Sequence, residues 1–148
     1  MMASAVISSD ITVLLVDDDD VAIEGVLRGV RRQGLECNMV TACDGLEALQ
    51  ILRGTHDSKR ITSPFLILLD LNMPRMDGFQ FLETVRADNQ LRNSVIFVLT
   101  TSSRDTDRMR AYEENVAGYM MKSAVGPQFV KLMDLLHSYA QSVVLPAR

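Results

Sequence analysis

Residues 65–78 read Phe-Leu-Ile-Leu-Leu-Asp-Leu-Asn-Met-Pro-Arg-Met-Asp-Gly, and the character of the chain changes inside that stretch. Phe65 to Leu69 is apolar without alternation, the pattern of a strand buried on both faces. The run stops at Asp70. A turn rich in Asn, Pro and Gly follows, and then a segment of helical period around Phe79 to Ala87, with Leu82 and Val85 facing inward. Asp77 and Gly78 serve this helix as turn and N-cap residues rather than as chemistry. A doubly buried strand that runs into a helix is one half of a parallel crossover unit.

The same grammar repeats on either side. Thr12 to Val16 is a second apolar strand, and Val21 to Arg32 is a helix that carries Ile23, Val26, Leu27 and Val30 on one stripe. A weaker strand, Asn38 to Ala42, precedes a helix over Asp44 to Arg53, for which Asp44 is the expected N-cap. Gly54 to Pro64 reads as a polar loop. Beyond the opening stretch come a strand at Val95 to Leu99, a fourth helix at Thr106 to Glu114 with a poorly marked apolar face, and a short strand at Gly118 to Met121. The last helix starts near Pro127 and buries Phe129, Leu132, Met133, Leu136 and Val143.

Five strand-then-helix units with short connections predict an α/β fold, a doubly wound parallel sheet with helices on both faces, because such crossovers are right-handed. The second strand contains Asn38 and Thr41 and the fifth is short, so both belong at the edges. The order 2-1-3-4-5 satisfies this and sets a switch point between strands one and three, where ligands bind beyond the strand ends.

The residues that end those strands are Asp17 and Asp18, Asp70, Thr100 and Lys122, and all converge on one rim. Three crowded carboxylates repel one another unless a divalent cation supplies the opposing charge. Mg2+ fits, being a hard ion that favours oxygen ligands and is commonly held by one or two carboxylates plus a phosphate. An aspartate can attack phosphorus to give an acyl phosphate, and Asp70 is the best-placed nucleophile. The metal, Lys122 and the Thr100 hydroxyl could each face one phosphoryl oxygen. Taken singly, Asp17 to Asp20 would be a solvated acidic turn without EF-hand spacing, Lys122 a surface lysine and Thr100 a strand-end hydroxyl. Only their joint placement is informative.

Bulk properties narrow the function further. With 148 residues, 47% hydrophobic and 23% charged, the chain predicts one folded domain, here bounded at residues 11–145 with tails at 1–10 and 146–148. A net charge of -4 creates no positive field, so direct nucleic-acid binding is not expected. The apolar runs fall far short of the roughly 18 residues that span a bilayer, and the N-terminus lacks the marks of a secretory signal, which points to the cytoplasm and away from membranes. Cys37 and Cys43 lie too far apart along a strand to bridge and read as buried or half-buried free thiols. His56 and His137 have no carboxylate or Cys partner at a suitable spacing and read as structural or solvent-exposed. Arg28, Arg31 and Arg32 read as a solvated helix face.

With these residues assembled, the sequence resembles the receiver domain of bacterial two-component response regulators. The resemblance runs from Thr12 to Tyr139. It rests on Leu69-Asp70-Leu71-Asn72-Met73-Pro74-Arg75-Met76-Asp77-Gly78, on Val16-Asp17-Asp18, on Val98-Leu99-Thr100-Thr101, and on Gly118-Tyr119-Met120-Met121-Lys122. It implies a flavodoxin-like (βα)5 fold and phosphorylation of Asp70 by a sensor histidine kinase or a small phosphodonor. Asp17, Asp18, Asp70 and the backbone carbonyl of Asn72 would bind Mg2+, and Lys122 would contact the phosphoryl group. Thr100 and Tyr119 would form a switch that repacks the face made by the fourth helix, fifth strand and fifth helix. Such a protein is a signalling switch that catalyses its own phosphorylation and dephosphorylation, not an enzyme with an external substrate.

The long Gly54 to Pro64 loop, Leu99 to Ser102 and the lack of an effector domain resemble stand-alone regulators paired with bacterial phytochromes, whose kinase would be a bacteriophytochrome. Met109, Tyr112, Tyr119 and Met120 would give an apolar patch for a homodimer on the output face. One departure is Ser123, where the family usually has a proline after the lysine, commonly in a cis peptide. Two rivals remain. A haloacid dehalogenase type phosphatase needs a second Asp two residues after the nucleophile, where this chain has Asn72. A receiver-like scaffold that is never phosphorylated would not need the intact set of Asp17, Asp18, Asp70, Thr100 and Lys122.

Overall fold

Successive residues of a strand face opposite ways, so an unbroken apolar run can only be satisfied by two apolar layers. The computed structural model, which describes residues 12–32, 38–62, 64–73 and 75–122 together with Ser138, shows this directly. Strands β1 (Thr12–Val16), β2 (Asn38–Ala42), β3 (Phe65–Leu69), β4 (Val95–Thr100) and β5 (Gly118–Met121) form one parallel sheet in the order β2-β1-β3-β4-β5. Between them run α1 (Asp20–Arg32), α2 (Gly45–Arg53), α3 (Gly78–Ala87) and α4 (Asp105–Glu113). The expected order and edges hold, with β4 extending one residue further, to Thr100. The expected last helix, Cys37, His137, Ser123 and both tails lie outside the described residues.

Leu14, Val16, Ile67, Leu69, Ile96 and Val98 face one way and pack with Leu49 and Leu52 of α2, Phe81 and Leu82 of α3, and Ala111 of α4. Val13, Leu15, Leu66, Leu68, Phe97 and Leu99 face the other way and pack with Val26 of α1. Register then fixes the rim. Val16 pairs with Ala42 on one side and Leu69 on the other, so β1, β2 and β3 end level. The ladder runs one step past the strands, with Asp17 N donating to Ala42 O at 3.0 Å and Asp70 N to Val16 O at 2.9 Å.

Caps begin the helices where the sequence places them. Asp44 caps α2 by accepting from Glu47 N, and Asp77 caps α3 in a reciprocal capping box with Gln80. Gly78 is required by close approach, since a Cβ there would lie 2.5 Å from Leu71 Cα and 2.6 Å from Asp70 O. By contrast α4 buries only Ala111, and Met109 and Tyr112 are 65% and 47% exposed. Its end is tied down from α3. Arg86 donates to the carbonyls of Arg92 at 2.7 Å, Ser94 at 2.8 Å, Glu114 at 2.7 Å and Asn115 at 3.0 Å.

The structure departs from two sequence expectations, one on either side of α2. His56 does have a carboxylate partner, since its Nε2 lies 2.9 Å from Glu47 Oε2, nine residues back. Its Nδ1 accepts from Ser58 N at 3.1 Å and Lys59 N at 3.0 Å, which leaves the proton on Nε2 to be donated to Glu47. The loop doubles back to make this contact, and no helical spacing encodes such a return. Cys43, expected buried or half-buried, is an exposed free thiol just beyond β2, where the alternation of the strand no longer governs it. Arg28, Arg31 and Arg32 are exposed as expected. Among the described residues no helix is long and apolar enough to cross a membrane.

Gly78→Ala forces backbone apart at the first turn of α3 and is expected to lower stability by about 1–3 kcal/mol, read as a lower midpoint in urea unfolding. Glu47 is pushed up by burial, but the Cys43 N–H, His56 and Lys59 outweigh this and bring its pKa from 4.5 to about 2. A depressed carboxylate stabilises the fold above its unfolded pKa and loses that contribution as pH falls toward its folded one. Wild type is therefore expected to lose stability between pH 4.5 and 2 more steeply than Glu47→Gln, in thermal melts across that range.

Candidate functional site

Level strand ends bring three carboxylates together. Asp17 follows β1 and Asp70 follows β3; they are 2% and 4% exposed, whereas Asp18 is open to solvent. One oxygen from each lies within 4.8 Å of the others. Local backbone bonds fix two of them: Asp17 Oδ1 accepts from Asp19 N at 2.9 Å, and Asp70 Oδ1 accepts from Asn72 N at 3.4 Å.

Lys122, directly after β5, enters from the far side of β4. Its Nζ lies 2.6 Å from Asp17 Oδ2 and 3.5 Å from Asp70 Oδ2. Burial pushes the Asp70 carboxyl above its ordinary range; Lys122 opposes the rise and Asp17 adds to it. Burial would depress the Lys122 ammonium, but the hydrogen bond to Asp17 and the charge of Asp70 raise it on balance. Three negative charges thus face one positive charge. The donors are all hard carboxylate oxygens, with solvent on the Asp18 side, which suits a divalent ion that retains water. The residues fit a divalent cation.

Thr100 ends β4 fully buried, and its Oγ1 accepts from Ser102 N at 3.3 Å. Tyr119 on β5 is half-buried and donates its hydroxyl to Ser102 O at 3.0 Å. Ser102 Oγ in turn donates to Asp107 in the first turn of α4. Sequence reading singled out Thr100 and Tyr119 and took Ser102 only as the end of the Leu99 to Ser102 likeness, missing that the two meet on it. The expected apolar patch needs correction as well. Met109 and Tyr112 are exposed, but Tyr119 packs into the α3 side of the sheet and Met120 into the α1 side, as neighbours on a strand must.

Comparison with known proteins agrees with this geometry. The family model for the response regulator receiver domain matches residues 13–134. The chain is 30% identical over 136 residues to response regulator Rcp1 of Synechocystis sp., spanning 91% of this chain and 92% of that protein. It is 34% identical over 110 residues to the probable methanogenesis regulatory protein FilR2 of Methanothrix harundinacea, spanning 74% and 70%. The crystal structure of the Mn2+-bound form of Rcp1 matches with a TM-score of 0.78 at 30% identity, over 92% of this chain and 99% of that one. The phosphorylated cyanobacterial phytochrome response regulator RcpA matches with a TM-score of 0.78 at 29% identity, over 92% and 98%.

The raised Asp70 carboxyl carries a prediction. A carboxyl held above its unfolded pKa binds its proton more tightly in the folded state, so stability falls as pH rises through the folded value. In metal-free buffer Asp70→Asn is expected to melt higher than wild type at pH 7, with the gap closing toward pH 4. A variant that melts lower at pH 7 would contradict this.

Proposed function

The chain belongs to the response regulator receiver domain family of two-component systems, and from that membership we propose that Asp70 is its phosphoryl acceptor. The donor is a sensor histidine kinase or a small acyl phosphate. One observation carries the reading: a buried carboxylate at the end of a central strand lies beside two further aspartates and within 3.5 Å of a lysine ammonium.

In the transfer, an Asp70 oxygen donates a lone pair to phosphorus as the bond to the donor nitrogen or oxygen breaks. The leaving group keeps that electron pair and takes its proton from solvent, and the product is an acyl phosphate. The Lys122 ammonium, 2.6 Å from Asp17 and 3.5 Å from Asp70, needs only a short movement to meet a phosphoryl oxygen. The Thr100 hydroxyl meets another. Asp17, Asp18, Asp70 and the Asn72 backbone carbonyl would hold Mg2+, which supplies the positive charge that Lys122 alone does not and offsets that of the incoming oxygens. The Mn2+-bound state of Rcp1 supports a divalent site. The chain acts on itself, both in gaining the phosphoryl group and in losing it.

Output follows from the Ser102 junction. When Thr100 turns toward the phosphoryl group, it releases Ser102 N, while the same residue holds Tyr119 through its carbonyl and Asp107 through its hydroxyl. The signal therefore leaves through α4 and β5. Exposed Met109 and Tyr112 on α4 make this the face for a second copy of the chain, and the likeness to Rcp1 and RcpA makes a cytoplasmic bacteriophytochrome kinase the favoured partner.

The test is incubation with acetyl phosphate and Mg2+ followed by intact mass measurement. Wild type is expected to gain one phosphoryl group, and Asp70→Asn or wild type in EDTA to gain none. Equal labelling of wild type and Asp70→Asn would defeat the proposal.

A further inference from the structure

At the end of the sheet that carries the acidic cluster, the turn after β2 and the turn after β3 meet through one carboxylate. Asp44, 3% exposed, is used twice: Oδ1 accepts from Glu47 N at 2.9 Å and caps α2, while Oδ2 accepts from Arg75 Nε at 2.6 Å. Arg75 Nη2 reaches the same oxygen. Next to this pair Gly45 N donates to Met76 O at 3.4 Å, and a Cβ on Gly45 would come within 2.8 Å of Met76 Cγ. The two turns are thus in backbone contact, and the ion pair joins the residue before each partner of that contact.

Arg75 holds φ at 62°, a left-handed conformation that is unfavourable for a residue with a Cβ. Glycine would adopt it freely but has no side chain to reach Asp44. The arginine side chain is also 58% exposed, so filling the core does not explain it. Strain of this kind persists where surrounding contacts over-determine it. Three residues before Arg75 is Asn72, whose N–H is on Asp70 Oδ1.

We infer that Asp44 and Arg75 are a positioning pair that holds the β3–α3 turn, and with it the Asn72 backbone, against the Asp17, Asp18 and Asp70 carboxylates, and so sets divalent-cation affinity. This rests on the metal reading proposed above. Neither residue touches the cation; they act through the turn, as partners behind metal ligands do.

Asp44→Asn separates the two uses of the carboxylate, because an asparagine oxygen still caps a helix but forms no ion pair. Arg75→Gln removes the charge from the other side. Both variants are expected to bind Mn2+ about tenfold more weakly than wild type by calorimetry, with melting temperatures close to wild type. In the metal-free proteins, amides of the β3–α3 turn are expected to exchange faster. A dissociation constant within twofold of wild type in both variants would overturn the inference, as would a loss of binding that only tracks loss of folded protein. If wild type binds Mn2+ and labels on Asp70 while the variants bind equally, the positioning pair alone fails. If wild type takes up neither Mn2+ nor a phosphoryl group, the metal reading fails and takes the pair with it.

Discussion

Backbone hydrogen bonds that run past the ends of the strands hold Asp17 and Asp70 where their own charges would not keep them. Asp17 N is bound to Ala42 O and Asp70 N to Val16 O, so each aspartate is the next rung of a ladder whose lower rungs are buried in two apolar layers. Parting the carboxylates would mean shifting a central strand in register, which would turn its apolar side chains to the wrong faces. Repulsion is therefore confined to the rim, where burial, with a smaller contribution from Asp17, raises the Asp70 carboxyl, and where Asp17 and Asp70 keep the Lys122 ammonium charged.

Rigidity is not shared evenly around that rim. The acids follow the central strands β1 and β3, whereas β5 and α4, beyond β4, are the weakest described elements. The described strand β5 is short and only half-buried, and α4 rests on Ala111, with Arg104 at its head making no side-chain cap bond. Its firmer attachments come late in the helix: Arg110 lies 4.1 Å from the centre of the Phe79 ring and 3.2 Å from Glu83, and Arg86 seizes the carbonyls just beyond the end. Low local stability of this sort is where conformational change is drawn from.

Much of this was legible in the residues. The unbroken run Phe65 to Leu69, the polar residues of β2 and the brevity of β5 carried the sheet order, because burial on two faces and burial on one leave different patterns. Asp44 and Asp77 announced their helices, and the strand-end residues announced the acidic rim with its lysine. What stayed hidden depends on chain returns. The His56 to Glu47 contact, the second use of Asp44 by Arg75 and the meeting of Thr100 and Tyr119 on Ser102 arise where loops fold back, and Cys43 is exposed because it stands just past the end of β2. Periodicity speaks only for neighbours within an element, and Met120 shows the cost of grouping apolar residues without asking which way a strand points them.

The attachment of α4 at one end gives it the mechanics of a lever. With nine residues it is about 13 Å long, pinned by Arg86 at the far end and linked through Asp107 and Ser102 to the buried hydroxyl of Thr100 at the near end. A displacement of an ångström at the near end becomes a tilt of a few degrees about the guanidinium fulcrum, and Met109 and Tyr112 travel with it. Such a tilt would re-aim the outward face as a rigid body, without any need to melt the helix.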